Sequence, residues 1–168
     1  MTLPVIAVVG YSDSGKTRVV SALVRVLSQQ GHRVAAVKHC HEGHQMDTPE
    51  KDTAKLFAAG AETVIASSPG QITSIERVEG DTPLEEIVAS LDSRDSSYDL
   101  VVAEGFKGSS VPKVLVLGEE PVVPRPSNVI AEVSDTGESG DVPCYTFDQS
   151  QSLAEQIEQT FLRRVAAP

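Results

Sequence analysis

An octapeptide near the start of the chain, GYSDSGKT at 10–17, has the residue types and spacing of a phosphate-binding loop. It fits the pattern G-x-x-x-x-G-K-[ST], whose glycines let backbone N–H groups turn inward around an anion that a Cβ would obstruct. In this pattern Lys16 places its charge on the β- and γ-phosphates of a nucleotide, and the Thr17 hydroxyl ligates Mg²⁺. The predicted nucleotide-binding residues of this segment are Gly10, Ser12, Asp13, Ser14, Gly15, Lys16, Thr17 and Arg18.

Glu104 is the candidate for the second metal ligand that such a site needs. It ends the apolar run LVVA within the segment YDLVVAEG at 98–105. Open α/β sheets bind ligands at the carboxyl ends of their strands, so an acid at this position faces the nucleotide. We therefore predict that Thr17 and Glu104 hold the metal together. The alternative is that Glu104 is an ordinary solvated acid at a strand end.

A histidine-rich segment, VKHCHEGHQMD at 37–47, follows the second apolar strand. Three interpretations stay open for it. The His-x-His pair with Asp47 suits a transition metal such as Zn²⁺. Lys38, His39 and His41 suit contacts with a second, anionic ligand. The third interpretation is a polar loop without a ligand.

The composition and charge of the chain exclude several classes of function. A length of 168 residues suits one domain, spanning 1–168. The net charge of −10 disfavours nucleic acid as a partner, because no basic face exists to displace its counterions. The two cysteines form no disulfide framework, and the N-terminal apolar run is too short for a signal peptide or a membrane span. We expect a soluble, cytoplasmic protein that does not bind a membrane.

Helical and strand-like segments alternate along the chain, which predicts an α/β fold: a single P-loop NTPase domain with three α/β/α layers and a mostly parallel sheet. Strands are predicted at 4–10, 33–39, 62–68, 71–77, 98–105, 113–118 and 128–134. Helices are predicted at 16–30, at 48–59 after an N-cap at Thr48-Pro49, from 82 to about 91, and up to about 164 after caps at Asp148 and Gln151. The Pro-rich segment 118–128 is predicted to be a loop.

Several of these segments occur together in one known family. In their order and spacing, GYSDSGKT, VKHCHEGHQMD, EKDT, AGAETVIASS and VVAEGFK resemble the molybdopterin-guanine dinucleotide biosynthesis protein B family, over about 4–135. The resemblance implies a GTP-binding accessory protein that uses Mg²⁺ and hydrolyses GTP slowly. It implies a separate partner, a MobA-like molybdopterin-guanine dinucleotide transferase, which attaches GMP from GTP to molybdopterin. It also implies a homodimer, for which QITSIER at 71–77 is a candidate edge strand, and it leaves open whether molybdopterin binds this chain.

The family motifs carry over to particular residues. The phosphate-loop residues match in full, and residues 104–107 match the family's E-G-F-K. The candidates for contacts with a second ligand are Lys38, His39, His41, Asp47, Lys51, Asp52 and Lys107. The family usually reads D-x-x-G-K-D-S where this chain reads DTPEKDT, so Glu50 replaces a glycine and Thr53 a serine. A carboxylate at Glu50 would repel a phosphate.

Asp135, which follows the predicted strand 128–134, is the candidate for recognition of guanine. The chain has no Asn-Lys-x-Asp run, and a carboxylate at this position would accept hydrogen bonds from the N–H and NH₂ edge of the base. Two other functions stay open: a small-molecule kinase and a nucleotide-controlled switch. Kinases bring arginines over the phosphates, whereas the arginines here are scattered, and no general base is evident. At most a slow GTPase is therefore expected.

Overall fold

The structure, a computed structural model, describes residues 3–40, 51–94, 97–119, 121–138 and 140–162. Its strands are β1 Val5–Val9, β2 Val34–Lys38, β3 Thr63–Ser68, β4 Gln71–Glu76, β5 Leu100–Glu104, β6 Lys113–Val116, β7 Val129–Val133 and β8 Cys144–Tyr145. Its α-helices are α1 Lys16–Gln29, α2 Asp52–Ala58, α3 Leu84–Arg94 and α4 Ser150–Ile157. A 3₁₀ turn at Phe147–Gln149 precedes α4, and a π-helical turn at Glu158–Leu162 follows it.

The chain forms two compact units, and the larger one is built on a parallel sheet. It comprises Met1–His39 and Pro83–Pro168, and the smaller unit comprises Cys40–Thr82. The six strands of the sheet have the order β2-β5-β1-β6-β7-β8, and each neighbouring pair is parallel. The prediction of an α/β fold with a mostly parallel sheet is confirmed. The prediction of one domain over the whole chain stays a prediction.

Helices cover both faces of this sheet, so the larger unit has three layers. Strand residues alternate between the faces, as Ile6 and Val8 show on one face and Ala7 and Val9 on the other. The first face packs against α1 and α4, and the second against α3. All four of these β1 residues are buried, which is why β1 reads as a continuous apolar run. In the strand order β1 lies between β5 and β6, so its carboxyl end, where the phosphate loop begins, lies in the middle of the sheet.

Helix α1 positions the phosphate loop and is itself fixed by an apolar face. Its buried residues, Val19, Val20, Ala22, Leu23, Val26 and Leu27, recur at helical spacing. The helix ends at Gln29, and Gly31 follows with a φ of 92°, a left-handed conformation that favours glycine. No helix within the described ranges is both long and apolar enough to cross a lipid bilayer.

The smaller unit consists of α2 and a β-hairpin. Strands β3 and β4 pair antiparallel, and the turn between them has Gly70 at a φ of 78°. The guanidinium of Arg77, which follows β4, donates to the carbonyl oxygens of Phe57 and Ala61 and lies 4.1 Å from the centre of the Phe57 ring. These contacts join the C-terminal end of α2 to the hairpin.

Some element boundaries differ from those predicted. Helix α2 starts at Asp52, because Lys51 is its N-cap with an extended backbone, ψ 145°. Gln149 and Thr146 form a capping box ahead of the 3₁₀ turn, whereas the predicted cap Asp148 pairs with Arg18. The short strand β8 was not predicted, since two residues are too few for a periodic pattern.

Candidate functional site

The phosphate loop joins β1 to α1, and both of its glycines are required by the backbone. Gly15, the N-cap of α1, has a φ of 93°, in the left-handed region that other residues avoid. A Cβ on Gly10 would lie 2.6 Å from the carbonyl oxygen of Val116, which leaves no room for a side chain. The loop thus presents its backbone at the N-terminal end of a helix, the arrangement that binds phosphates in P-loop proteins.

The two basic residues after the loop make different contacts. The Lys16 ammonium donates a hydrogen bond to the carbonyl oxygen of Tyr11, so it crosses the mouth of the loop. The Arg18 guanidinium lies 3.1 Å from the Asp148 carboxylate and 4.7 Å from the centre of the Phe147 ring. Lys16 therefore contacts the loop itself, and its phosphate contact stays a prediction, whereas Arg18 is engaged with the turn before α4.

Thr17 and Glu104 are brought together by the pairing of β1 with β5. Val8 and Glu104 are partners in this register, which puts the carboxylate beside the start of α1. The Thr17 hydroxyl donates to Oε2 of Glu104 at 2.8 Å, and the Lys38 ammonium lies 2.9 Å from Oε1. Glu104 is 7% exposed. The structure thus brings these two side chains together, and their role as metal ligands stays a prediction.

The charge of Glu104 suits a metal ligand. Burial raises the pKa of this carboxyl, but hydrogen bonds from Lys38 and Thr17 and the charge of Lys16 more than offset it, so the pKa lies below its usual value. The group is therefore ionised at neutral pH. A carboxylate and a hydroxyl oxygen fit Mg²⁺, which takes oxygen ligands and keeps several waters. In the part of the chain that the structure describes, no three His, Cys, Asp or Glu side chains form a metal cluster.

A cavity of about 440 Å³ opens beside the phosphate loop. Its lining residues are Tyr11, Ser12, Asp13, Ser14, Leu117, Gly118, Glu119, Asp135 and Phe147. Asp135 thus shares one cavity with the phosphate loop, and aromatic rings line the same space. The Ser14 hydroxyl oxygen is buried and has no hydrogen-bond partner among the described residues, so a bound polar ligand would supply one.

The carboxyl ends of β2 and β5 form a second group of predicted residues. The His39 ring lies 4.8 Å from the Phe106 ring, centre to centre. Gly105, at a φ of 92°, makes this possible, because a Cβ there would lie 2.9 Å from the Cβ of His39. The Lys107 ammonium lies 5.8 Å from the centre of the Tyr11 ring. Lys107 thus lies against the phosphate loop and Lys38 is joined to it through Glu104, whereas His39 packs on Phe106.

Two of the four remaining second-ligand candidates fall among the described residues. Lys51 and Asp52 belong to the smaller unit, where Asp52 pairs with Lys55 at 3.2 Å. His41 and Asp47 lie outside the described residues, as does Glu50. Their proposed contacts stay predictions.

Sequence reasoning missed five residues of the cavity wall, and three of them have an aromatic or charged side chain. Phe147 packs on the phosphate loop so closely that a Cβ on Gly15 would lie 2.8 Å from its ring. The hydroxyl of Tyr11 accepts a hydrogen bond from the Val123 N–H in the Pro-rich loop, at 3.3 Å. Glu119 is the third. Tyr11 occupies an unspecified position of the motif, and the other two residues lie far from it in sequence, so no local signal marks them.

Comparison with known proteins identifies the family. Residues 5–135 match the family described as molybdopterin guanine dinucleotide synthesis protein B. The molybdopterin-guanine dinucleotide biosynthesis adapter protein of Escherichia coli (strain K12) is 30% identical over 164 residues, which cover 92% of this chain and 91% of that protein. Its namesake from Haemophilus influenzae is 31% identical over 124 residues, covering 74% of this chain and 68% of that one.

Solved structures agree in fold. The crystal structure of Bacillus subtilis MobB superposes with a TM-score of 0.77 at 24% identity, covering 96% of this chain and 100% of that chain. A crystal structure described as molybdopterin-guanine biosynthesis protein B has a TM-score of 0.66 at 30% identity. The match covers 95% of this chain and 99% of that chain. The chain therefore belongs to the molybdopterin guanine dinucleotide synthesis protein B family.

Proposed function

We propose that this protein is a GTP-binding adapter in molybdopterin-guanine dinucleotide biosynthesis. The adapter role comes from the names of its relatives, and the nucleotide site comes from the phosphate loop. The observation that carries the proposal is the 2.8 Å hydrogen bond between Thr17 and Glu104, which joins the end of the loop to an acid on the neighbouring strand. Members of the P-loop class use such a pair to hold Mg²⁺ against the β- and γ-phosphates.

Each part of the site has a role in this proposal. The backbone N–H groups of the loop and the N-terminal end of α1 would hold the phosphates, with Lys16 neutralising the terminal ones. Thr17 and Glu104 would hold Mg²⁺, which neutralises phosphate charge when it is bound. The guanine base would occupy the cavity, with Asp135 accepting hydrogen bonds from its N–H groups.

Slow hydrolysis follows from the engagement of Glu104. This carboxylate accepts from Thr17 and Lys38, so it is committed to the metal site and is not placed as a base for water. Within the described residues, Arg18 is held by Asp148 and so does not extend over the phosphates. Fast turnover would therefore need a group from a partner, such as the transferase that makes the dinucleotide.

Calorimetry with GTP, ATP and CTP in Mg²⁺ tests this proposal, each with and without molybdopterin. We expect GTP to bind most tightly and to be hydrolysed slowly. Molybdopterin that binds in the same titration would add this chain to the pterin-binding components of the pathway. Fast, acceptor-dependent formation of a nucleoside diphosphate would instead indicate a small-molecule kinase, and nucleotide binding without hydrolysis would indicate a switch.

A further inference from the structure

Lys38 stands at the metal end of the proposed nucleotide site, at a position that the phosphate-loop motif does not specify. It is the last residue of β2 and the direct partner of Glu104 across the parallel pair of β2 and β5. Its ammonium lies 2.9 Å from Oε1 of Glu104. The side chain of Lys38 is 55% exposed and that of Glu104 is 10% exposed. A half-exposed cation thus lies against a nearly buried anion.

The direction of these side chains follows from the register. Val102, two residues before Glu104, packs on the α1 side of the sheet, so Glu104 and its partner Lys38 point to that side as well. Thr17 reaches Glu104 from the same side, and it uses the other carboxylate oxygen. The carboxylate therefore has Lys38 on one oxygen and the proposed metal ligand Thr17 on the other.

We infer that Lys38 is a built-in cation that competes with Mg²⁺ for Glu104 and so sets the Mg²⁺ concentration at which nucleotide binds. This inference rests on the proposed function, because it concerns the same site. One carboxylate supplies one negative charge, and the Lys16 charge acts on it already. A divalent cation that joins Glu104 must share this charge with Lys38 or displace its ammonium, and both add to the cost of metal binding.

The exposure of the Lys38 side chain bears on the cost of this displacement. The Lys38 side chain is long and more than half exposed, so its ammonium can move into solvent without leaving a buried charge behind. Half-exposed ion pairs are weak, which sets the size of the effect at a few-fold. The opposite role is that Lys38 contacts the terminal phosphate and aids binding of the metal–nucleotide complex. That role predicts a shift of the opposite sign.

In the test, Mg²⁺ is titrated into a mixture of the full chain and a fluorescent GTP analogue. The fluorescence of the bound nucleotide is recorded at each Mg²⁺ concentration. The variants are Lys38→Met, which keeps the stem and removes the charge, and Lys38→Arg, which keeps the charge. Lys55→Met is the matched control, because Lys55 also pairs with a carboxylate, at 3.2 Å, and its side chain is 64% exposed. We expect the Mg²⁺ midpoint of Lys38→Met to fall about threefold, with Lys38→Arg and Lys55→Met at the wild-type value.

An unchanged or higher midpoint in Lys38→Met overturns the inference, and a higher midpoint assigns Lys38 to the phosphate. If circular dichroism shows that Lys38→Met is unfolded, Lys38→Gln replaces it with the same expected fall. Failure of the proposed function looks different: the wild-type protein then shows no bound nucleotide at any Mg²⁺ concentration. A normal wild-type titration with no shift in the variant removes this inference alone.

Discussion

Glu104 contacts two of the predicted site residues, one on the phosphate loop and one on a neighbouring strand. Its carboxylate contacts Thr17 of the loop and Lys38 of β2, and it comes from β5, which lies between β1 and β2. Burial alone would favour the protonated acid, and the surrounding donors reverse this preference, since they lower its pKa. An ionised acid at the start of α1 attracts cations, which suits the proposed role of Glu104 as a metal ligand.

Asp135 gives a prediction about the base. Its carboxylate lines the cavity beside the phosphate loop, where it would accept hydrogen bonds from the N1–H and NH₂ groups of guanine. Asp135→Asn replaces an acceptor by a donor, so we expect its preference to move from GTP towards xanthosine triphosphate by about tenfold or more. The measurement is the ratio of the two dissociation constants.

Glu119→Gln is the matched control for this substitution, because Glu119 lines the same cavity. We expect it to keep the wild-type preference. An unchanged ratio in Asp135→Asn would remove Asp135 from base recognition, and a changed ratio in Glu119→Gln would assign the role to that residue.

At this scale the sequence predicts the residues that belong to a motif better than those that complete the site. The loop residues and the pairing of Thr17 with Glu104 follow from a fixed spacing and from the place where an apolar strand ends. The hydrogen bond between Arg18 and Asp148 joins residues that are 130 positions apart. Arg18 also lies over the ring of Phe147, the residue before Asp148. Such contacts arise from the packing of α4 on α1, and no local pattern encodes them.

Among the elements, β6 contains a buried lysine that supports the segment after β5. Lys113 is 0% exposed, and its ammonium donates to the carbonyl oxygens of Ser109 and Val111 at 2.6 and 2.9 Å. Burial lowers the pKa of Lys113, and the charge of Glu85 partly opposes the shift. These hydrogen bonds attach Ser109 and Val111, in the segment between β5 and β6, to the start of β6.

Lys113→Met is expected to destabilise the protein by about 1–3 kcal/mol, because it leaves two partly buried carbonyl oxygens without their charged donor. Urea unfolding measures this change, with Lys55→Met as a control expected within about 0.5 kcal/mol of wild type. Equal stability of Lys113→Met and wild type would show that the lysine does not support this segment.

The elements of the larger unit are well predicted because their apolar residues repeat regularly. Helix α1 buries one face, which gives apolar residues at helical spacing. Strands β1 and β5 bury both faces, which gives continuous apolar runs. The start of α2 was predicted too early, because Thr48-Pro49 resembles a helix start whereas Lys51 has an extended backbone. More than one position near α2 has residues that suit the start of a helix, and tertiary packing determines which of them is used.

For the whole molecule, the hairpin of the smaller unit gives a prediction about assembly. Ile65 and Ile72 are 65% and 73% exposed and lie on one face of the hairpin, where their cross-strand partners are serines. Among the described residues β4 pairs only with β3, which leaves it an outer edge, and β4 is the strand predicted to pair across a two-fold axis. Both features favour a second copy of the chain as the partner.

We expect the wild-type protein to sediment as a dimer, at twice the 17.8 kDa of one chain. The double variant Ile65→Lys with Ile72→Lys would dissociate towards monomer, since it places charge on the interface. Val123→Lys is the control, because Val123 is 70% exposed and belongs to the larger unit. A monomeric wild type, or a double variant that stays dimeric, would contradict this prediction.

The binding of a nonhydrolysable GTP analogue, guanylyl imidodiphosphate, tests the central claim most directly. Its affinity with Mg²⁺ is measured by calorimetry for the wild type and for Lys16→Ala, with Lys55→Met as the control. Phosphate binding by the loop at Gly10–Thr17 predicts tight binding to the wild type and the control, and loss of measurable binding in Lys16→Ala. Micromolar affinity retained by Lys16→Ala would contradict the assignment of the phosphate loop, and with it the proposed function.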